Sequence, residues 1–261
     1  MGEKTGITWA DHTFNRWWGC TKVTQGCKNC YAEEMAQVRS KRIPEGYVKG
    51  SRRIKSKSHN LAMLKRWDKL SELDGRMHRV FAHSMSDVFD QEVPDEWRCE
   101  EFSMMQQTKN LWYLILTKRP EHTLPFIARN REFEQFFKDR VWLGTSIVGD
   151  EDMQMAYEVI QCPAKLHWVS YEPALSELSI LSMPKGIRWV VVGGESGGGA
   201  RPFHIEWAEH ILMYATQTVF VKQTGKNAFY QGKPFETPSD RSHGANPQDW
   251  PEHIRVQDFP I

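Results

Sequence analysis

The chain carries a net charge of only +1 and lacks a disulfide complement and any long apolar run, and each of these removes a class of function. Its 34 lysines and arginines nearly balance its 33 aspartates and glutamates. Attraction to nucleic acid or to an anionic surface must therefore come from local clusters rather than from the whole-molecule field. Five cysteines are few, and an odd number, which argues against a disulfide scaffold. No stretch approaches the roughly 20 apolar residues a membrane span needs, and the first residues carry no apolar leader of secretory type. The expected location is the cytoplasm, with reduced thiols and no membrane partner. The glycine-dense run Gly193-Gly-Glu-Ser-Gly-Gly-Gly199 lacks the G-x-G-x-x-G order and the lysine of a P-loop, so neither a dinucleotide nor a nucleoside triphosphate fingerprint is present.

What the chain does have is a compact knot of sulfur. Cys20, Cys27 and Cys30 stand at C-x6-C-x2-C spacing in Cys20-Thr-Lys-Val-Thr-Gln-Gly-Cys27-Lys-Asn-Cys30. A structural zinc site closes with four ligands, whereas three thiolates can hold three corners of a 4Fe-4S cubane and leave one iron open to a ligand. A Cys3His zinc knot completed by His12 or His59 is the alternative. Cys99 and Cys162 lie far away and read as small buried apolar residues.

Composition supplies a core: 40% of residues are hydrophobic and 11 are tryptophan. Short apolar runs alternate with longer amphipathic segments, the pattern of repeated βα units and a mostly parallel sheet. Strands are predicted near residues 7–10 and at 79–84, 112–117, 141–146, 167–171, 188–193 and 218–222. Helices are predicted over 29–39, 60–70, 95–107, 132–139, 151–160 and 205–216. Residues 1–225 form the α/β domain and residues 226–261, rich in Gly, Pro, Asn and Asp, an irregular cap.

Nearly every predicted strand ends in small or polar residues: Ser84, Ser86 and Asp87; Thr117, Lys118 and Arg119; Thr145 and Ser146; Glu172; Gly193, Gly194 and Glu195; Lys222. In (βα) barrels the active-site groups collect at these carboxyl ends. Between residues 39 and 57 the chain carries Arg39, Lys41, Arg42, Lys49, Arg52, Arg53, Lys55 and Lys57 against only Glu45. Pro44, Gly46 and Gly50 mark that stretch as a loop, and it suits contact with phosphates.

Six segments in order carry a resemblance. They are the three-cysteine loop, Ser84-Met-Ser-Asp87-Val-Phe, Leu116-Thr-Lys-Arg-Pro120, Trp142-Leu-Gly-Thr-Ser146, Val169-Ser-Tyr-Glu-Pro173 and Val192-Gly-Gly-Glu-Ser-Gly-Gly-Gly-Ala-Arg-Pro202. Over residues 6–225 the chain resembles a phage- and prophage-associated family known only as a domain of unknown function, which is similar to a divergent branch of the radical S-adenosylmethionine (SAM) enzymes. The resemblance implies a partial (βα) barrel of about six or seven parallel strands. It implies that Cys20, Cys27 and Cys30 are the catalytic cluster ligands, and that the 4Fe-4S cluster cleaves SAM to a 5′-deoxyadenosyl radical. It further implies cofactor contacts from Ser84, Ser86, Asp87, Thr117, Lys118, Thr145, Ser146, Glu172, Gly193, Gly194 and Glu195, with Arg119 and Lys222 as further cations. The position before the last cysteine, aromatic in most radical SAM enzymes, is Asn29 here. Trp17, Trp18 and Tyr31 are the aromatic residues nearby that can hold adenine instead.

The implied substrate is a nucleotide or a base in DNA, above all a hypermodified pyrimidine of phage DNA, with Lys49, Arg52, Arg53 and Lys55 on the flanking phosphates and an external electron donor such as flavodoxin. Two other functions fit the same residues: a zinc-stapled, non-catalytic nucleic-acid-binding phage protein, and radical SAM repair of a thymine photolesion.

Overall fold

The structure, a computed structural model, describes residues 5–39, 47–236 and 244–261 of the chain, without the side chains of residues 38 and 39. Lys41, Arg42, Pro44 and Gly46 of the basic run lie outside the described residues.

Runs of Val, Ile and aromatic residues form seven strands. These are β1 (His12–Phe14), β2 (His78–Ala82), β3 (Leu111–Thr117), β4 (Val141–Ile147), β5 (Leu166–Tyr171), β6 (Ile187–Gly193) and β7 (Thr218–Gln223). They lie in one sheet in chain order from β1 to β7. The β1–β2, β2–β3, β5–β6 and β6–β7 pairs are parallel. Each strand lies beside the next one in the chain, so right-handed crossovers all advance the same way. A doubly wound sheet would reverse its order at a switch point. A singly wound parallel order with β1 and β7 as unjoined edges is instead the topology of a partial (βα) barrel, as the resemblance implied.

The crossovers carry α1 (Leu61–Asp74), α2 (Asp95–Met105), α3 (Thr123–Arg129) with α4 (Glu134–Arg140), α5 (Met153–Val159) and α6 (Ile205–Tyr214). Their ends follow local chemistry. The Asn60 side chain accepts the Met63 N–H at 3.3 Å to start α1, and Gly75 ends it in the left-handed region at φ 69. Pro94 precedes α2, whose first turn holds Asp95 and Glu96. Between β5 and β6 there is a 3-10 turn, Ile180–Ser182.

One expected element is displaced. The first strand is His12–Phe14 rather than residues 7–10. Its polar first residues hid it: His12 is buried, stacks on Trp67 with ring centroids 4.4 Å apart, and pairs with the His78 ring at 2.9 Å. Residues 7–10 form a turn closed by the Ala10 N–H on the Ile7 carbonyl, although Trp9 still enters the core.

The chain divides into two compact units. The first comprises residues 1–23, 32–144 and 161–166; the second, residues 24–31, 145–160 and 167–261. In the first, Phe102 is the hub of an aromatic cluster, with Phe126, Phe133 and Phe137 rings 5.7, 5.6 and 5.2 Å away. In the second, Trp189 packs on Trp168 at 5.2 Å and on Phe259 at 5.8 Å. Residues after 225 are knitted into this unit: Ala228–Tyr230 pairs with both Lys233–Phe235 and Phe203–His204, and Gln257 bridges to Phe220. Among the described residues, no helix is long and apolar enough to cross a membrane.

Candidate functional site

In the first unit the carboxyl ends of β1 and β2 are tied together by buried Asn15. Its Oδ1 accepts the Met85 N–H at 2.9 Å and its Nδ2 donates to the Ser84 hydroxyl at 3.0 Å. His83, at φ 66, turns the chain after β2. Its ring bonds the Ser86 hydroxyl at 2.6 Å on one side and the Glu101 carboxylate at 2.6 Å on the other. Gly19 then bridges to Ser86 as a parallel partner. That bridge seats Cys20, the next residue, at the strand end where parallel α/β folds place their chemistry.

Asp87 holds this end rigid. Its Oδ1 accepts from the Phe89 N–H at 2.9 Å and the Thr117 hydroxyl at 2.8 Å; its Oδ2 accepts from the Lys118 N–H at 2.9 Å and Arg119 at 3.0 Å. A carboxylate with four protein donors is a scaffold, not a group waiting for the amino group of a cofactor. Ser84, Ser86 and Thr117 are likewise engaged within the protein. Lys118 differs: it is half-buried, and no partner for its ammonium exists among the described residues. Arg119, 4% exposed, donates to the Cys20 sulfur at 3.5 Å and to the Thr21 carbonyl. Burial pushes the Cys20 thiol up to about 12, Asp87 adds to that rise, and Arg119 opposes it.

The basic segment enters the same unit. Ile54–Lys55 pairs antiparallel with Trp17–Trp18, and Arg53 is 7% exposed. Its guanidinium spends its N–H groups on Asp90 at 2.8 Å, the Ser51 carbonyl at 2.6 Å and the Thr21 hydroxyl at 2.6 Å, with Glu92 at 3.2 Å. Lys55 is paired with Glu100. Of the four predicted phosphate contacts, only Lys49 and Arg52 are exposed and without a partner among the described residues. Arg53 is a structural residue, held by the buried Asp90 carboxylate 37 positions away.

In the second unit the cysteine segment is held by Glu195. Asn29 donates to Glu195 Oε2 at 3.0 Å and to the Gly199 carbonyl at 2.9 Å. Arg201 donates to Glu195 through its backbone N–H at 2.8 Å and through its guanidinium, which also reaches the Gln25 carbonyl at 3.1 Å. Burial works against the Glu195 charge, but the Arg201 and Asn29 hydrogen bonds outweigh it and hold the carboxyl below its usual range. Cys27 closes the 3-10 turn Gln25–Cys27, with its sulfur 3.8 Å from the Thr24 hydroxyl. Asn29, at the position expected to be aromatic, is thus a structural tether, as is Glu195. Trp17 and Trp18 are buried core residues, which removes them as an adenine platform, whereas Tyr31 is exposed.

Further along this unit, Lys222 pairs with Glu172 at 2.8 Å, and Ser170 donates to Glu172 at 3.1 Å. Thr145 and Ser146 are buried, their hydroxyls directed at the Met155 sulfur and the Glu172 carbonyl. Gly193 and Gly194 serve packing: a Cβ on Gly193 would lie 2.9 Å from Glu172 Oε1, and one on Gly194 would lie 2.5 Å from the Thr224 carbonyl oxygen and 2.8 Å from Phe203 Cβ. Gly194→Ala is therefore expected to cost about 1–3 kcal/mol, read as a shifted urea midpoint at unchanged slope. Gly198→Ala, with open space around it, serves as the neutral control.

All five sulfurs are outside disulfides. Among the described residues, no group of three or more His, Cys, Asp or Glu side chains is gathered around a metal position. Three soft thiols in one short loop, one of them already receiving an N–H on its sulfur, are a donor set suited to iron–sulfur ligation. Of the histidines a Cys3His zinc knot would draw on, His12 bonds the His78 ring through Nε2 and stacks on Trp67, and His59 Nδ1 accepts the Asn15 N–H at 2.9 Å. Residues that sequence reasoning did not assign are Asn15, His83, Asp90, Glu101 and Arg201. Only Arg201 falls within one of the six segments that carry the resemblance; the others have no local signal.

A family model described as "Protein of unknown function (DUF5131)" matches residues 4–246. No curated protein matches the chain. Among solved structures, a spore photoproduct lyase variant is similar at TM-score 0.47 and 10% identity over 74% of this chain. Another, with bound AdoMet and dinucleoside spore photoproduct, is similar at TM-score 0.44 and 12% identity over 74% of this chain. The chain spans 58% of the length of either.

Proposed function

The chain belongs to the DUF5131 family of proteins of unknown function, and on that premise we propose that it is a radical SAM enzyme acting on a nucleotide or nucleic-acid base. Cys20, Cys27 and Cys30 would hold a 4Fe-4S cluster. The observation that carries the reading is the Gly19–Ser86 bridge, which puts the first of three closely spaced cysteines at the carboxyl end of β2. When bound, such a cluster would supply one-electron radical chemistry on SAM, with the protein positioning SAM and substrate around it.

The chain's own residues supply position and charge. Lys118, whose backbone N–H is held by Asp87 at 2.9 Å, offers an ammonium without a partner among the described residues, suited to a methionine carboxylate or a substrate phosphate. Glu172 and Lys222 offer a second polar pair at the strand ends of the other unit. Tyr47, buried with its hydroxyl on the Met85 carbonyl at 2.8 Å, fixes the return of the basic segment over the β2 end. Lys49 and Arg52 are the cations left for a phosphate backbone. A modified pyrimidine in phage DNA, extruded from its duplex to reach a buried radical, is the substrate class we favour, with a small electron carrier of flavodoxin type as donor.

The functional test is anaerobic reconstitution followed by SAM, dithionite and DNA carrying modified pyrimidines. The expected products are 5′-deoxyadenosine and a nucleoside of altered mass or fragmentation. Reductant-treated, iron-loaded protein that leaves SAM intact would overturn the reading, and nucleoside analysis separates base modification from photolesion reversal. The DNA surface has its own test. Lys49→Ala with Arg52→Ala should flatten the dependence of log affinity on log salt by roughly 0.9 for each duplex phosphate that is no longer neutralised. Arg53→Ala should instead lower thermal stability, because it strands Asp90 in the interior.

A further inference from the structure

We propose that Arg119 is the counter-cation of the Cys20 sulfur, a positioning residue that fixes this ligand and sets how readily the cluster accepts an electron. The inference rests on the cluster reading above.

Arg119 has no freedom to do anything else. Its backbone N–H is bound to the Thr117 hydroxyl at 2.9 Å, and that hydroxyl is bound to Asp87 at 2.8 Å. Its buried guanidinium faces four groups. Nη1 meets the Cys20 sulfur at 3.5 Å and Asp87 Oδ2 at 3.0 Å; Nη2 meets the Thr21 carbonyl and lies 3.9 Å from Asp90 Oδ1. One planar fork thus grips the backbone after Cys20 and points an N–H at its sulfur, which the point charge of a lysine cannot do at once.

The surrounding charges decide the sign of the effect. Asp90 is taken up chiefly by Arg53, at 2.7 Å, so Asp87 is the anion that offsets Arg119. Hydrogen bonds to ligand sulfur and net charge nearby are main determinants of iron–sulfur potentials. A cation beside a thiolate ligand favours the reduced, more negative cluster, and an adjacent carboxylate opposes it. Arg119 and Asp87 should therefore act on the same sulfur in opposite directions.

The experiment is a redox titration, followed by electron paramagnetic resonance, of the anaerobically reconstituted full chain and its variants. Arg119→Gln should lower the midpoint by at least a tenfold change in the one-electron equilibrium, about 59 mV. Asp87→Asn should raise it. Arg119→Lys should keep most of the wild-type potential but lose iron faster on dilution into chelator, since only the charge survives. A role confined to holding the fold would lower cluster content in all three without opposed shifts of potential. An iron-loaded wild type whose potential does not move in Arg119→Gln, or moves the same way in both charge variants, overturns the inference and leaves the cysteine reading standing. Should Arg119→Gln fail to load, Asp87→Asn decides: a potential at or below wild type overturns the inference. A wild type that takes up no iron overturns the cysteine reading, and this inference with it.

Discussion

Replacing Cys20, Cys27 or Cys30 by alanine is expected to abolish cluster assembly, taking reconstituted iron from about four per chain to less than about one and removing all SAM cleavage. Three ligands leave no redundancy, so each single variant should be as deficient as the triple. Cys99→Ala and Cys162→Ala should load normally. Cys99 donates to Asn130 at 3.4 Å and Cys162 is buried, so neither is part of the loop. Because Cys27 and Cys30 are only half-buried, their metal-free alanine variants should unfold within about 1 kcal/mol of the metal-free parent. Iron analysis paired with urea melts separates loss of ligation from loss of fold. Normal iron in any one loop variant would remove that residue from the ligand set.

The second large effect falls on stability. His83 and Glu101 are paired at 2.6 Å with both side chains fully buried, and the other Glu101 oxygen has no hydrogen-bond partner. His83→Ala would leave a carboxylate in the interior without its one good partner, at a cost of about 3–5 kcal/mol. Removing both groups, as in His83→Ala with Glu101→Leu, should recover part of that loss, because the expense lies in the orphaned group rather than in the absent bond. Chemical denaturation of the two variants and the Glu101→Leu single completes the cycle. A double variant no more stable than His83→Ala would contradict this account of the pair.

The fold was legible where side chains announce themselves. Strands such as Ile187–Gly193 are β-branched and apolar almost throughout, and α2 opens on Pro94 with two acidic residues. β1 was hidden because His12 and Thr13 read as polar, yet the His12–His78–Asp74 chain, with its second bond at 2.7 Å, satisfies the ring inside the core. At the strand ends the sequence could not assign the tasks of its polar residues. Asp87 and Glu195 look alike as acids after glycine or serine, and both turn out to anchor arginines. The basic run shows the same limit. Lys49, Arg52, Arg53 and Lys55 are equivalent in composition, and only the distant acids Asp90, Glu92 and Glu100 decide that Arg53 is buried and Lys55 is paired.

We propose that Cys20, Cys27 and Cys30 carry an iron–sulfur centre. Its most direct test is the metal content of the full chain, purified without oxygen and analysed for iron, zinc and acid-labile sulfide together. About four irons with matching sulfide and no zinc are expected. One zinc per chain, with neither iron nor sulfide even after reconstitution, would contradict it.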